Sequence, residues 1–407
     1  MKIPLASSGL RQKDIQAAIE VLNSGNLTMG KKVREFENSM AKYLKVEHFI
    51  MMNSGSSANL AMFEGLLRPT TSHPKLKQGD RILVPVIAWP TTIWPIIQLG
   101  LEPIFIDIDT DTFAIDLDEA QKFLDRSSVP TQGIFPIHPL GRSINSEKLD
   151  NFCKKNNLVL INDVCEALGS WSDNTHAGVI GMGGSFSFYF SHHITTMEGG
   201  GVATNNSDFA DDLRSIRSHG WSRDRTDSEI WQQNLSRNDS KFLFVSTGFN
   251  IRPMEIQAAI GISQLEDLDQ FINLRRKMAQ KIHISINGTG IELVGASTLT
   301  SPRDEKSNSW MLMPIRVLGN NAESRKKKII QNLENLGVET RPVLTGNFIS
   351  QPSMQRIGKN LPNANEFIQA NAISDSTFLV SGHHDLSNVE IDFLCQALIS
   401  SALSNQE

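Results

Sequence analysis

The sequence predicts an α/β protein: a large N-terminal domain on a mainly parallel sheet, residues 1–270, and a smaller C-terminal α+β domain, residues 271–407. Three observations predict it. At 407 residues the chain is too long for one hydrophobic core. From residue 10 to about 250, short apolar runs alternate with amphipathic stretches, the pattern of βαβ units with right-handed crossovers. After a helical run from Met254 to about Lys281, the texture changes to isolated strand- and helix-like segments.

The elements follow in order. Ile15, Ala18, Ile19 and Leu22 stand at i, i+3, i+4 and i+7, which predicts a helix with that face turned to the core. Val33, Phe36, Met40 and Leu44 predict a second helix in the same way. HFIMM (48–52) reads as a strand, and Ala58–Leu66 as the helix after it. ILVPV (82–86), PIFIDI (103–108), GIFPI (133–137), LVLIND (158–163), SFSFYF (185–190) and GGVAT (200–204) read as further strands. Helical patterns at Leu117–Leu124 and Ser146–Lys155 fall between them. Residues 222–240 are polar and aperiodic and predict a long surface loop. In the second region, WMLMPIRV (310–317) predicts a strand, with helices near Ala322–Leu336 and Asn363–Ala372.

Composition narrows the function. Apolar residues make up 40% and charged residues 20%, ordinary for a globular protein and unlike a disordered or collagen-like chain. A net charge of −5 argues against nucleic acid as a partner. No apolar run reaches the ~18 residues of a membrane span, and the first residues lack the basic and apolar regions of a signal peptide. Cys153, Cys165 and Cys395 are scattered, which fits a reduced cytoplasmic compartment and offers too few thiolates for an iron–sulfur cluster.

Three segments carry candidate chemistry. Asn53-Ser54-Gly55-Ser56-Ser57 runs into a helix, so free N–H groups and hydroxyls gather where a phosphate binds well; the same residues also make an ordinary helix cap. Asp163 ends an apolar strand, where α/β sheets place ligand-binding residues, with Glu166 three residues on. A buried carboxylate there needs a cationic partner, such as a protonated pyridine nitrogen; the alternative is a capping Asp. Ser185–Phe190 alternates Ser and aromatic residues, delivers His192 and His193 to a loop, and is followed by Gly199-Gly200-Gly201. No acidic or cysteine ligand stands near the histidines at a metal-binding spacing, so no metal is expected; they are either functional or incidental surface residues.

Taken together and in this order, the segments resemble the DegT/DnrJ/EryC1/StrS sugar aminotransferase family of fold-type I, aspartate-aminotransferase-like pyridoxal-phosphate enzymes. The matching segments are NSGSSANLAM (53–62), PIFIDIDTDTFAID (103–116), HPLGRSINSEKL (138–149), NDVCEALGS (162–170), SFSFYFSHHITTMEGGGVAT (185–204), RSHGW (217–221), STGFNIRPMEIQAAIG (246–261) and ETRPVLTGNF (339–348). One departure decides the chemistry. Transaminating members have their cofactor-tethering lysine seven residues after the first serine of the Ser-Phe-Ser-Phe strand. Here that position is His192, and no lysine occurs between Lys155 and Lys241. The chain therefore resembles the family's minority branch, the sugar 3-dehydratases, in which histidine replaces the lysine. Dehydratases that use an iron–sulfur centre carry a cysteine cluster soon after this motif. Residues 199–260 contain no cysteine, so no cluster is expected.

The resemblance implies the remaining roles. The cofactor is pyridoxal 5′-phosphate, used as pyridoxamine 5′-phosphate, and the substrate is a nucleotide-linked 4-keto-6-deoxyhexose that loses its C3 hydroxyl. Glutamate restores the amine. Gly55, Ser56 and Ser187 would hold the cofactor phosphate, with Asn250 reaching the phosphate of the neighbouring subunit in a homodimer with shared sites. Trp89 would stack on the pyridine ring, unless it fills core beside Trp94. Asp163 would pair with the ring nitrogen and Glu166 with the ring hydroxyl. His192 would shuttle the proton at C4′, and Arg341 and Asn347 would face the sugar. An ordinary aminotransferase would need its lysine from elsewhere. A catalytically inactive cofactor-binding protein would show no turnover.

Overall fold

The computed structural model describes residues 1–404 apart from positions 8, 71, 173, 234, 302–303 and 359–360. Seven strands build the central sheet: β1 (His48–Met52), β2 (Arg81–Pro85), β3 (Glu102–Ile106), β4 (Gly133–Ile134), β5 (Val159–Leu160, continuing as Asn162–Asp163), β6 (Gly184–Ser187) and β7 (Gly200–Thr204). The first half of β5 pairs with β4 and the second half with β6, giving the order β3-β2-β4-β5-β6-β7-β1. All neighbours are parallel except β7, which runs antiparallel to both β6 and β1. Ile82, Leu83 and Val84 of β2 are buried, as expected of a strand covered on both faces. The mainly parallel sheet expected from the sequence is present.

Two helices that read alike in sequence behave differently. In Lys31–Leu44, the Val33, Phe36, Met40 and Leu44 side chains are completely buried, each contributing about 1.5–3 kcal/mol. Its N-terminus is satisfied from outside: the Glu255 carboxylate accepts the N–H groups of Gly30 (2.8 Å), Lys32 (2.8 Å) and Val33 (2.9 Å). In Gln12–Ser24 the expected core face is wrong: Ile15, Ile19 and Leu22 are exposed, while Asp14 and Val21 are buried. The reason is Asp14, which accepts from Ser263 Oγ (2.6 Å) and Gln264 Nε2 (2.6 Å) of the helix Glu255–Leu265. That polar anchor rotates the apolar stripe outward.

Other expectations also need correction. The strand drawn as 185–190 ends at Ser187. There the chain leaves the sheet in a loop closed by Phe188, whose N–H donates to the Gly199 carbonyl (2.9 Å) and whose carbonyl accepts from Thr196 (2.9 Å). The helical run 254–281 is two helices, Glu255–Leu265 and Leu268–Ser285. Segment 222–240 contains three short helical turns rather than a plain loop.

Beyond the central sheet lies an antiparallel sheet of three strands in chain order: β8 (Ile291–Leu293), β9 (Met313–Val317) and β10 (Thr377–Val380). It shares an apolar cluster with Ala322–Asn335 and Asn388–Leu403, and Ile3 belongs to that cluster. Helix Leu268–Ser285 bridges the cores: Phe271 and Ile272 pack with Phe36 and Phe188, and Met278 and Ile282 with the second sheet.

Candidate active site

Asp163 occupies the C-terminal end of β5 and is buried. Its Oδ2 accepts from Asn59 Nδ2 (3.0 Å) and Thr92 Oγ1 (2.8 Å), and its Oδ1 accepts the Cys165 N–H (3.1 Å). Among the described residues no cation lies within ion-pair distance of this carboxylate. Three donors orient it, and a cationic ligand would balance its charge.

The cofactor-phosphate candidates converge on one point. Helix Gly55–Leu67 is capped by Ser54, whose Oγ accepts the Ser57 N–H (3.1 Å). That leaves the N–H groups of Gly55 and Ser56 without a protein acceptor among the described residues. Gly55 lies against the end of β6: an added Cβ would meet Ser187 Cβ at 2.7 Å and Cys165 Sγ at 2.9 Å. The Ser56 side chain is exposed, and the Ser187 hydroxyl accepts only a long bond from Tyr189 N–H (3.4 Å). Helix N-terminus and strand end together form an anion cradle.

His192 and His193 diverge. The His192 backbone N–H donates to the Tyr189 carbonyl (3.0 Å), and its imidazole points toward the Cys165 carbonyl, two residues beyond Asp163. Burial pushes its pKa down to about 4; the Cys165 carbonyl opposes this in part, and the charges of Arg275 and Arg341 add smaller lowering effects. The His193 imidazole is fully buried the other way, with Nε2 3.2 Å from the Ser309 carbonyl.

Trp89 precedes helix Pro90–Gln98 and is 48% exposed, so it is not core filling; Trp94 takes that role, edge-on to Phe348 at 5.3 Å. The Asp163 bond to Thr92 fixes the first turn of this helix, whose Thr92 N–H donates to the Trp89 carbonyl (3.0 Å). The Arg341 guanidinium lies over the Trp89 ring, 5.7 Å from its centroid, and its charge reaches both Glu166 and His192. Burial raises the Glu166 carboxyl pKa; the Leu140 N–H (2.9 Å) and Arg341 only partly oppose this.

Two expected residues stand apart. Asn250 is exposed in a separate cleft of about 370 Å³ with Arg34, Trp221 and Arg223, where its Oδ1 accepts from Arg252 Nε (3.1 Å). Asn347 is buried and occupied internally: its Nδ2 donates to the Ala364 carbonyl (2.9 Å) and Asn371 Oδ1 (3.1 Å), and its Oδ1 accepts the Ile349 N–H (3.2 Å). It ties its loop to the segment around Ala364 and Asn371, with both N–H donors of its amide engaged. Sequence reasoning missed Asn59, Thr92, Cys165 and Arg275. The first three lie within quoted or adjacent segments, but nothing in their spacing signals a carboxylate clamp. Arg275 reads as a solvent-facing charge of the Leu-Arg-Arg-Lys run.

The site and fold define the class. Residues 9–399 match the DegT/DnrJ/EryC1/StrS aminotransferase family, and the chain belongs to it. Within it, the chain is 32% identical over 403 residues to a GDP-4-keto-6-deoxy-D-mannose 3-dehydratase of Escherichia coli O55:H7, covering 97% of this chain and 99% of that one. It is also 32% identical to the enzyme so named in Yersinia pseudotuberculosis, over 95% of this chain and 96% of that one. A solved structure of the E. coli GDP-4-keto-6-deoxy-D-mannose-3-dehydratase with bound hydrated PLP superposes with a TM-score of 0.87 at 32% identity, covering 98% of this chain and 99% of that one.

The residues present fit pyridoxal phosphate or its amine. The buried, cation-less Asp163 suits a protonated ring nitrogen, the Gly55–Ser56 amides with Ser187 suit the phosphate, and Trp89 offers an aromatic face. Among the described residues no set of three His, Cys, Asp or Glu side chains is placed to hold a metal ion, and no helix is long and apolar enough to cross a membrane.

Proposed function

We propose that this protein is a carbon–oxygen lyase, a pyridoxamine-phosphate-dependent 3-dehydratase of GDP-4-keto-6-deoxy-D-mannose that yields a 4-keto-3,6-dideoxy sugar. The observation that carries the reading is His192, an imidazole on the loop where transaminating relatives need a lysine. The 32% identity to two dehydratases along nearly the whole chain supports the substrate.

When bound, the cofactor supplies an amine for the C4 ketone and a ring that takes up electron density. The protein supplies the rest. Asp163, clamped by Asn59, Thr92 and the Cys165 N–H, holds the ring nitrogen protonated. Glu166 would contact the ring hydroxyl, Trp89 would cover one face, and Gly55, Ser56 and Ser187 would hold the phosphate. His192, kept neutral at physiological pH, takes the proton at C4′ and, once protonated, gives it to the departing C3 hydroxyl, a role worth about 10²–10⁴ in rate. Arg341, beside Trp89 and His192, faces the sugar. Glutamate restores the amine. The protein works as a cytoplasmic homodimer in which Asn250 reaches the partner's cofactor phosphate, which accounts for its position in an exposed, arginine-lined cleft. No iron–sulfur centre takes part.

The test is direct. Purified protein is incubated with GDP- or CDP-linked 4-keto-6-deoxyhexose, the cofactor and glutamate, and the sugar is weighed by mass spectrometry. Loss of one oxygen with the GDP sugar is expected, unaffected by chelators. An amino sugar as product would make the protein an aminotransferase, and turnover of neither sugar would overturn the reading. Borohydride should leave the chain free of a pyridoxyl group; an adduct on a lysine would remove His192 from its role.

A further inference from the structure

Arg275, in helix Leu268–Ser285, is 1% exposed and has no carboxylate within ion-pair distance among the described residues. Such a guanidinium is costly unless its donors are occupied. Here the two terminal nitrogens close on backbone carbonyls, while the buried Nε has no partner among the described residues. Nη1 donates to Met311 (2.8 Å), Gly382 (2.8 Å) and Trp310 (3.3 Å), and Nη2 donates to the carbonyl of His192 (3.3 Å). Nη2 also lies 3.5 Å from Nδ1 of His384, whose ring stacks on Phe271 at 3.8 Å. One side chain thus pins the His192 loop to the approach to β9 and to the loop after β10.

We propose that Arg275 is a positioning residue for the proposed dehydration, fixing the backbone of His192 and setting a positive charge behind its imidazole. This rests on His192 being the proton carrier. A planar fork suits the task, because it can bond several carbonyls at once and stays charged at neutral pH even though burial lowers its pKa to about 10. The groups facing His192 are known from every side. Arg275 comes from the helix beneath and Arg341 from the segment beside Trp89. Tyr189 and His193 belong to its own loop, and the Cys165 carbonyl follows β5. The Asp385 carboxylate acts on Arg275, His383 and His384, and Glu166 faces Arg341. Besides burial, both charged neighbours of His192 are therefore cations, which disfavours imidazolium and keeps the base free.

The experiment reads His192 directly and in turnover. In the cofactor-free wild-type protein, the long-range 1H–15N imidazole signals of His192 should titrate below about pH 5; a midpoint near the ordinary ~6.5 overturns the electrostatic part. Arg275→Met should raise that midpoint by about half a pH unit or more and carry the acid limb of kcat/KM with it. Arg275→Lys keeps the charge with fewer donors: the midpoint should stay while kcat falls about tenfold and KM changes less. A uniform loss in Arg275→Met with an unmoved pH profile would reduce Arg275 to a structural strut, and an Arg275→Lys variant as active as wild type would also sink the proposal. Should Arg275→Met fail to fold, the wild-type titration and Arg275→Lys still decide. Should wild type turn over neither sugar, the functional reading fails, while the titrations still test the placement.

Discussion

His192 and His193 are neighbours in the chain with opposite environments, and the difference predicts opposite failures. The His192 imidazole faces the Cys165 carbonyl and the Arg341 charge, whereas His193 is committed to the Ser309 carbonyl. His192→Asn is expected to fold and to bind the amine cofactor, yet to lose at least ~10² in kcat with KM little changed. His193→Asn is expected to keep most of its kcat and to lose about 1–3 kcal/mol of stability, because it disturbs a fully buried polar contact. Single-turnover kinetics alongside urea melts separate the two, and the reverse ranking would reassign the base. At this scale the sequence marks where candidates lie, a strand end for Asp163 and the loop after β6 for His192, and not what partners them. The count of seven residues from Ser185 selects His192, and the strand end selects Asp163. The clamp on Asp163 is not legible, because Asn59 and Thr92 lie on separate helices and meet only when the sheet forms. Asn347 is hard to read for a related reason: a family-like segment cannot show that its amide N–H groups are engaged by Ala364 and Asn371, which come from a segment further along the chain.

Among elements, the junction of helix Gly55–Leu67 with β6 is the most exacting. With Ser187 Cβ 2.7 Å and Cys165 Sγ 2.9 Å from where a Cβ would stand, Gly55→Ala cannot be absorbed by one flexible tip. The helix start and the strand end must separate. A loss of about 1–3 kcal/mol is expected from overpacking, together with weaker cofactor binding as the Gly55 and Ser56 amides move off the phosphate. Cofactor titration by absorbance, compared with a thermal melt of the cofactor-free variant, checks both; unchanged affinity with lowered stability would mean that the phosphate sits elsewhere. Element existence was readable from periodicity, but orientation was not always so. Stripes of equal quality mark Gln12–Ser24 and Lys31–Leu44, yet only the second is buried, because a single carboxylate, Asp14, finds better partners than the isoleucines do. The antiparallel sense of β7 is likewise invisible in GGVAT; it follows from the short return of the loop that holds the histidines.

Over the whole molecule, buried histidines set the response to acid. Burial is the first cause in each case: it pushes His138 down to about 4, His176 to about 3 and His384 to about 3, and lowers His193 as well. The sign follows from proton counting. Above the ordinary ~6.5 both folded and unfolded chains hold these rings neutral, and their stability contribution is complete. Between ~6.5 and about 4 the unfolded chain binds protons that the folded chain refuses, so stability falls as pH falls. His73 works the other way: burial alone would lower it, but its bond to Asp212 (3.0 Å) holds it above its ordinary value, and its contribution is lost as pH rises. One such group does not balance the set. Asp14 and Asp212, both held below the usual carboxylate range, weaken only at still lower pH. A ring displaced by more than two pH units is worth roughly 3 kcal/mol when fully expressed, against a typical total of about 5–15 kcal/mol, so a few such rings remove a large share of the stability. Stability in urea should therefore be flat from pH 8 to 7 and decline steadily from about 6.5 to about 4. His138→Gln, which gives up the ring contacts to Asn162 (3.3 Å) and Ile144 (3.1 Å), should be weaker than wild type at pH 8 and shallower in slope below 6.5. A wild-type stability that holds level down to pH 4.5 would show that these rings gain protons without unfolding the chain, and the burial argument would fail with it.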